Sequence, residues 1–215
     1  MKKILYSALT LILGLVLSSS GCNTMDTPDS DTYDKGVEIG GVIWATRNVA
    51  EPGKFAKNEN DAGMFYQFDR RTGWSATNPL TSIPPFTTWD GSTPTSTTWT
   101  TANDPCPTGW HVPTKAQFDA LIAIGSSLWE PCFGVNGRRY GTIDNFIFLP
   151  AAGWRSSSEG GKLYYDSDGT YGGCYHTSEQ YNNEAANIVC FSSLSDGSGT
   201  KALKAGGHSI RCVKK

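Results

Sequence analysis

The sequence predicts an α+β domain built from short antiparallel strands, one clear helix and long loops. Glycine and proline, at 24 and 11 of 215 residues, divide the chain into many short apolar runs. Only one segment has both the periodicity and the capping residues of a helix. Charged residues make up 18% of the chain, too few for a coiled coil or a helical bundle. Aromatic residues make up 12%, enough to fill a core and to exclude a disordered chain.

The first 21 residues are typical of a bacterial lipoprotein signal peptide. Lys2 and Lys3 precede an apolar stretch over residues 4–17, and small residues follow it up to Cys22. The apolar stretch is shorter than the ~20 residues of a membrane span. A cysteine directly after small residues resembles the lipobox, although Ser19 stands where that motif has leucine. We therefore predict that Cys22 is acylated and binds the membrane; the alternative is ordinary cleavage that leaves a thiol.

Residues 22–35 are predicted to form an acidic tether between the lipid and the domain. They lack apolar periodicity and carry four aspartates, at positions 26, 29, 31 and 34. Acidic residues soon after a lipidated cysteine resemble the surface-export signal of Bacteroidetes-type lipoproteins; the alternative is a linker without addressing content. The expected location is the outer membrane, with the domain exposed at the cell surface. The net charge of −2 offers no basic field, so no nucleic-acid partner is expected.

The folded part is expected to open with a hairpin, because two short alternating apolar runs, residues 37–39 and 42–44, flank a Gly-Gly pair. An aromatic strand is predicted over residues 64–68. Residues 74–104 are rich in Thr, Ser and Pro and show no helical period. We predict that this stretch is a long ordered loop within one domain.

The helix is predicted to begin at Thr114, because Thr114 and Gln117 form a capping box. Phe118 and Leu121 share one face, and Gly125 suits the left-handed position that ends a helix. Gly and Ser clusters separate the strands expected after it, over residues 145–149, 175–178, 187–192 and 209–214.

Several segments together resemble the Fibrobacter succinogenes major paralogous domain, a family found on secreted and lipid-anchored bacterial proteins. The most specific is residues 106–114 (CPTGWHVPT), which leads into the helix. The others are residues 39–44 (IGGVIW) with Asn48, Gly63 with Tyr66, residues 149–155 (LPAAGWR) and residues 209–214 (SIRCVK). The resemblance covers nearly the whole of residues 36–215, which we take as one domain. It implies a fold similar to C-type lectin domains, also shared by formylglycine-generating enzymes, and it supplies no catalytic residue.

Two disulfides are expected, because export to an oxidising compartment permits them. The first choice is Cys106–Cys212, which resembles the bridge that joins helix to terminal strand in lectin-like domains. The second is Cys174–Cys190, whose strands we expect to be neighbours. The five cysteines after Cys22 are an odd number, which predicts at least one unpaired thiol, and we expect it to be buried rather than nucleophilic.

No catalytic residue, metal site or cofactor is predicted. His111, His176 and His208 are scattered, and no hydrolase elbow, phosphate loop or zinc motif occurs. Residues 166–169 (DSDG) could begin a calcium loop, but later ligands are missing and a polar turn is favoured. Arg155 and Arg211 are expected to hold loops by donating to backbone carbonyls.

The sequence therefore favours a non-catalytic, surface-anchored module that binds a glycan or a protein. The ligand-binding candidates are Trp74, Trp89 and Trp99 in the long loop, because exposed indole rings stack on sugar faces and anchor partners. The competing interpretation places these rings in the core. Two other functions stay open: an enzyme of the formylglycine-generating type, and a structural component of the envelope or of an appendage.

Overall fold

The computed structural model describes residues 30–85, 87–125, 127–165 and 172–215. These ranges contain fifteen strands and one helix, with 43% strand against 5% helix. The predicted α+β class, similar to C-type lectin domains, is therefore wrong, and the fold is mostly β. One helix of nine residues is too small to form a layer, so most of the core is closed by sheets. No helix in the described ranges is long and apolar enough to cross a membrane.

The strands are short, and every pairing between them is antiparallel, as predicted. In chain order they are β1 (Val37–Ile39), β2 (Val42–Asn48), β3 (Met64–Phe65), β4 (Gly73–Ser75), β5 (Ser82–Ile83), β6 (Trp110–His111), β7 (Ser127–Cys132), β8 (Val135–Gly141), β9 (Phe146–Pro150), β10 (Trp154–Arg155), β11 (Leu163–Tyr164), β12 (Gly173–Gln180), β13 (Ala185–Ser192), β14 (Ser195–Leu203) and β15 (Arg211–Lys214).

One sheet joins the two ends of the domain, in the order β1-β2-β15-β6. The predicted hairpin between β1 and β2 is confirmed, and its turn residues Gly40 and Gly41 have φ of +61° and +78°. Residues with a Cβ seldom adopt two such values in succession, which explains the Gly-Gly pair. The last strand lies between β2 and β6, and the Cys106–Cys212 disulfide ties it to the turn before the helix.

The predicted helix is confirmed as α1 (Lys115–Ala123). The Thr114 hydroxyl accepts from the Gln117 amide at 3.2 Å, and the Gln117 side chain accepts from the Thr114 amide at 2.8 Å. Phe118 and Leu121 are buried, and the Phe118 ring lies 4.9 Å from that of Trp44. The chain leaves the helix through Gly125, whose φ is +70°.

Two three-stranded meanders make up most of the remaining sheet structure, in the orders β7-β8-β9 and β12-β13-β14. The predicted strands within residues 145–149, 175–178 and 187–192 are confirmed as parts of β9, β12 and β13. The β7–β8 hairpin and β14 had no strand prediction. Strand β14 contains Gly197 and Gly199, which suggested a turn, yet its backbone pairs with β13 along almost its full length. Backbone pairing needs no side-chain alternation, so the sequence pattern gave no signal.

The end of the predicted tether belongs to the folded domain. Asp34 is buried, and its carboxylate accepts from the amides of Gly36 and Thr46 at 2.8 and 3.1 Å. Arg47 completes the arrangement with an ion pair of 3.3 Å to the same carboxylate. Asp34 is therefore a structural residue of the folded domain.

Candidate functional site

The three tryptophans singled out in the long loop do not form one exposed aromatic surface. Trp74 and Trp99 are 1% and 9% exposed, so the expectation that they stack on a ligand is wrong. The ring of Trp99 lies 5.4 Å from that of Phe68 and 4.9 Å from that of His176. Burying the apolar surface of the indole is more favourable than leaving it exposed to solvent, which explains its place in the core. Trp89 is half-buried, 4.9 Å from the Trp74 ring. Its indole nitrogen donates to the Ser157 carbonyl at 3.4 Å.

Buried polar side chains that lie outside the loop hold it in place, which agrees with the prediction that the loop is ordered. The Asp69 carboxylate accepts from the Thr100 amide and hydroxyl at 2.7 and 2.8 Å, and also from the Ser96 hydroxyl. The Lys204 ammonium donates to the carbonyls of Pro94 and Ser96 at 3.2 and 2.7 Å. The predicted loop contains the paired strands β4 and β5, and these bonds replace a regular ladder after β5, where the described part of the loop forms no further strand.

The loop closes one side of a cavity of about 500 Å³, which we name the loop groove. This volume falls within the roughly 300–1,000 Å³ of small-molecule sites. Trp74 and two prolines, Pro52 and Pro84, supply its apolar lining. Its polar lining residues come from the loop and from the segment before β4: Gln67, Asp69, Arg70, Arg71, Thr72, Thr87, Thr88, Asp90 and Asn103.

A network centred on Arg70 fixes one wall of the loop groove. The Arg70 guanidinium donates to the Gln67 side-chain oxygen at 3.1 Å and to the Asp90 carbonyl at 2.7 Å, and it forms an ion pair of 2.9 Å with the Asp90 carboxylate. It also donates to the carbonyl and hydroxyl of Ser92, each at 2.8 Å. Hydrogen bonds from the Ser92 amide and hydroxyl, together with Arg70, lower the pKa of Asp90. The wall is thus set before any ligand arrives.

Two indole groups lie in or next to the lining of the groove. The Trp99 nitrogen donates to the Asn103 carbonyl at 3.1 Å, which holds the backbone of Asn103 in the lining. The Trp74 nitrogen is buried and has no hydrogen-bond acceptor among the described residues. Because this nitrogen is also inaccessible to solvent, Trp74 contributes apolar surface to the groove and no accessible donor.

The residues that distinguish this site are mostly ones that sequence reasoning missed. Only Trp74 of the predicted ligand-binding residues lines the groove, whereas Gln67, Arg70, Asp90 and Asn103 were not singled out. A usable signal was the charged run at residues 69–71 (DRR) directly after an aromatic strand, where no helical face explains it.

A second cavity, of about 430 Å³, lies beside the Cys174–Cys190 disulfide. His208 reaches its lining, and burial lowers the pKa of this histidine well below its usual value. No hydrogen bond joins the lining residues Thr200, Lys201 and His208 to one another in the described part of the chain. It therefore has no prearranged polar network of the kind that the loop groove has.

Both predicted disulfides, Cys106–Cys212 and Cys174–Cys190, are confirmed, with Cα–Cα distances of 6.0 and 4.2 Å. The expectation of an unpaired thiol is wrong over the described residues, where no cysteine is free. Cys22 and the polar turn at residues 166–169 lie outside those residues. Within the described ranges, no group of three or more His, Cys, Asp or Glu side chains could hold a metal ion.

Arg155 and Arg211 hold loops through backbone carbonyls, as predicted. Arg155 donates to the carbonyls of Ser75, Thr77 and Gly161 at 2.8, 2.7 and 2.7 Å, so it fixes the chain where it leaves β4 toward the groove. Comparison with known proteins adds no relative: no family model, no curated protein and no solved structure matches this chain.

Proposed function

We propose that this chain is a lipid-anchored bacterial surface protein that binds a saccharide in the loop groove and catalyses no reaction. The observation that carries the proposal is a cavity of about 500 Å³ whose polar wall is already fixed by the Arg70 network. Sugar hydroxyls both donate and accept hydrogen bonds, so they suit a lining that offers both kinds of group.

The groove supplies these complementary groups without rearrangement. The Asp90 carboxylate and the Asn103 amide oxygen accept hydrogen bonds, while Arg71 and the Thr88 hydroxyl donate them. The Thr88 hydroxyl is exposed and has no partner among the described side chains. Because the Arg70 network is formed in the free protein, little conformational entropy is lost on binding.

Export and anchoring are supported by the N-terminal sequence and by the two disulfides. Disulfides persist in oxidising compartments outside the cytoplasm, which agrees with a secretory signal before Cys22. The acidic residues after Cys22 support exposure at the cell surface. The formylglycine-generating alternative needs a reduced cysteine, and no cysteine in the described ranges is free, so binding is favoured.

The groove is tested with full-length protein in detergent on an array of immobilised saccharides. We expect at least one saccharide to bind, and Thr88→Ala combined with Asn103→Ala to weaken that binding about tenfold or more. Thr95→Ala removes an exposed hydroxyl of the same loop outside the groove and is expected to change nothing. Failure of every saccharide to bind, or equal binding by the double variant, would contradict the proposal.

The anchor is tested separately in cells. Cys22→Ala should release the protein from the membrane fraction, and mass spectrometry of the wild-type N-terminal peptide should show an acylated cysteine. Protease added to intact cells should cleave the wild-type domain. Unchanged membrane retention of Cys22→Ala, or a mature N-terminus at another residue, would refute acylation without bearing on the groove.

A further inference from the structure

The loop groove contains four charged side chains, and three of them are neutralised within the protein. Arg70 and Asp90 form an ion pair with an N–O distance of 2.9 Å. The Asp69 carboxylate is buried and accepts hydrogen bonds from Ser96 and Thr100. It also interacts electrostatically with the ammonium of Lys204, which donates to the Ser96 carbonyl at 2.7 Å.

Arg71 is the remaining charge, and it has no ion-pair partner among the described residues. Its side chain is exposed at the groove, and its Nη1 donates to the Asp104 carbonyl at 2.8 Å. One hydrogen bond from five guanidinium N–H groups leaves the rest of the planar fork open. Glu51, in the chain segment next to Arg71, is itself paired with Lys54 at 3.4 Å.

The hydrogen bond to the Asp104 carbonyl positions the Arg71 guanidinium but does not neutralise its charge. The Asp104 backbone is in turn held by a side-chain bond, in which the Asp104 carboxylate accepts from the Cys106 amide at 2.9 Å. Cys106 is joined to the last strand by a disulfide. The guanidinium is therefore attached to a disulfide-linked segment, while its charge faces a cavity lined by uncharged or internally paired groups.

We infer that the ligand of the loop groove carries a carboxylate, and that Arg71 binds it, so the saccharide is an acidic one that contains a uronic or sialic acid. This inference rests on the proposed function. A carboxylate matches the planar guanidinium fork with two parallel hydrogen bonds and supplies the one negative charge that the groove lacks. The Asn103 side chain and the Thr88 hydroxyl then bind the uncharged hydroxyls of the same sugar.

The experiment compares pairs of saccharides that differ only at the carboxyl group. Full-length protein in detergent is tested against uronate- and sialate-containing oligosaccharides and against the same oligosaccharides after their carboxyl groups are reduced to alcohols. We expect the acidic form of a bound pair to bind about tenfold or more tightly. Arg71→Gln should reduce this preference to about threefold or less, and Arg71→Lys should restore only part of it, because an ammonium lacks the fork.

Lys57→Gln is the matched control, because it removes one positive charge from an exposed side chain that does not line the groove. It should leave the preference unchanged, whereas a loss equal to that of Arg71→Gln would mean a long-range charge effect and would overturn the inference. Equal binding of acidic and reduced forms by the wild-type protein overturns the inference and leaves the proposed function standing. Failure of all forms to bind overturns both. Preference for a sulfated saccharide over the carboxylated one also overturns the assignment of a carboxylate.

Discussion

Arg211 and Arg71 carry the same guanidinium group, and their surroundings give it opposite uses. Arg211 is fully buried on β15. Its Nε donates to the Asn48 side chain at 3.0 Å, its Nη1 to two carbonyls of β2 at 3.1 and 2.6 Å, and its Nη2 to the Phe148 carbonyl at 2.8 Å. Arg71 makes one such bond and stays exposed.

The difference shows how an arginine becomes structural or available for binding in this domain. Arg211 connects its own strand β15 to β2 and β9, so its donors are used within the fold. Burial lowers the pKa of this guanidinium. Arg71 is held at one point, which orients the group but leaves most of its donors for a ligand. Substitution at the first position should act on stability, and substitution at the second should act on binding.

The largest effect is expected from Arg211→Met, which keeps most of the side-chain volume but leaves the Asn48, β2 and Phe148 acceptors without a donor. Loss of a buried charged donor of this kind should lower the free energy of unfolding by about 3–5 kcal/mol. Urea denaturation followed by tryptophan fluorescence measures it. Arg71→Gln should change the same quantity by less than about 0.5 kcal/mol. Similar losses of unfolding free energy in the two variants would contradict the distinction between a structural Arg211 and a ligand-binding Arg71.

His176 is a second buried polar group, and its effect on stability depends on pH. Burial lowers the pKa of His176 to about 4, from an ordinary value near 6.5, and its Nε2 donates to the Tyr66 carbonyl at 2.8 Å. Between these pH values the unfolded chain binds a proton that the native state does not bind. Stability from this group is therefore complete above about pH 6.5 and declines as the pH falls toward 4, by about 3 kcal/mol.

The measurement is the free energy of unfolding at pH 7 and pH 4 for the wild-type protein and for His176→Phe. The wild-type protein should lose about 3 kcal/mol more than the variant over this interval, because the variant has no group to protonate at that position. Contributions from carboxylates are common to both proteins and cancel in the difference. The comparison is repeated with His208→Phe in both proteins, because the His208 ring lies 4.9 Å from that of His176, and burial and His176 together lower the pKa of His208. An equal decline in both proteins would show that His176 does not carry the effect.

A smaller loss of stability than in Arg211→Met is expected from Trp74→Phe, which keeps an aromatic ring in the core but removes an indole N–H that has no acceptor among the described residues. We expect the free energy of unfolding to change by less than about 1 kcal/mol and saccharide affinity to change by about twofold or less, because the indole nitrogen is buried away from the ligand. Trp44→Phe is a matched control, because Trp44 is fully buried and also has an unpaired indole nitrogen, but it does not line the groove. A loss of affinity in both variants would point to a general effect on packing.

Several local features were predictable because adjacent residues encode them. The hairpin at Gly40 and Gly41 and the Thr114 capping box depend on backbone preferences within a few positions. The two disulfides were predictable from the resemblance of the segments around Cys106 and Cys212 and from the neighbouring strands of Cys174 and Cys190. The fold class was not, because β14 and the β7–β8 hairpin owe their strands to pairing partners rather than to an alternating pattern.

By itself, then, the sequence determined the first hairpin, the single capped helix and the arginines that hold carbonyls. Only the tertiary structure decided which tryptophans are buried and which charged side chains are neutralised. Trp99 is in the core because Phe68 and His176 meet it from distant segments. Arg70 forms an ion pair with Asp90, which the fold of the loop brings next to it. The adjacent Arg71 has no ion-pair partner among the described residues, because no carboxylate is brought to it. Burial and charge pairing depend on long-range contacts, and residue order along the chain does not specify them.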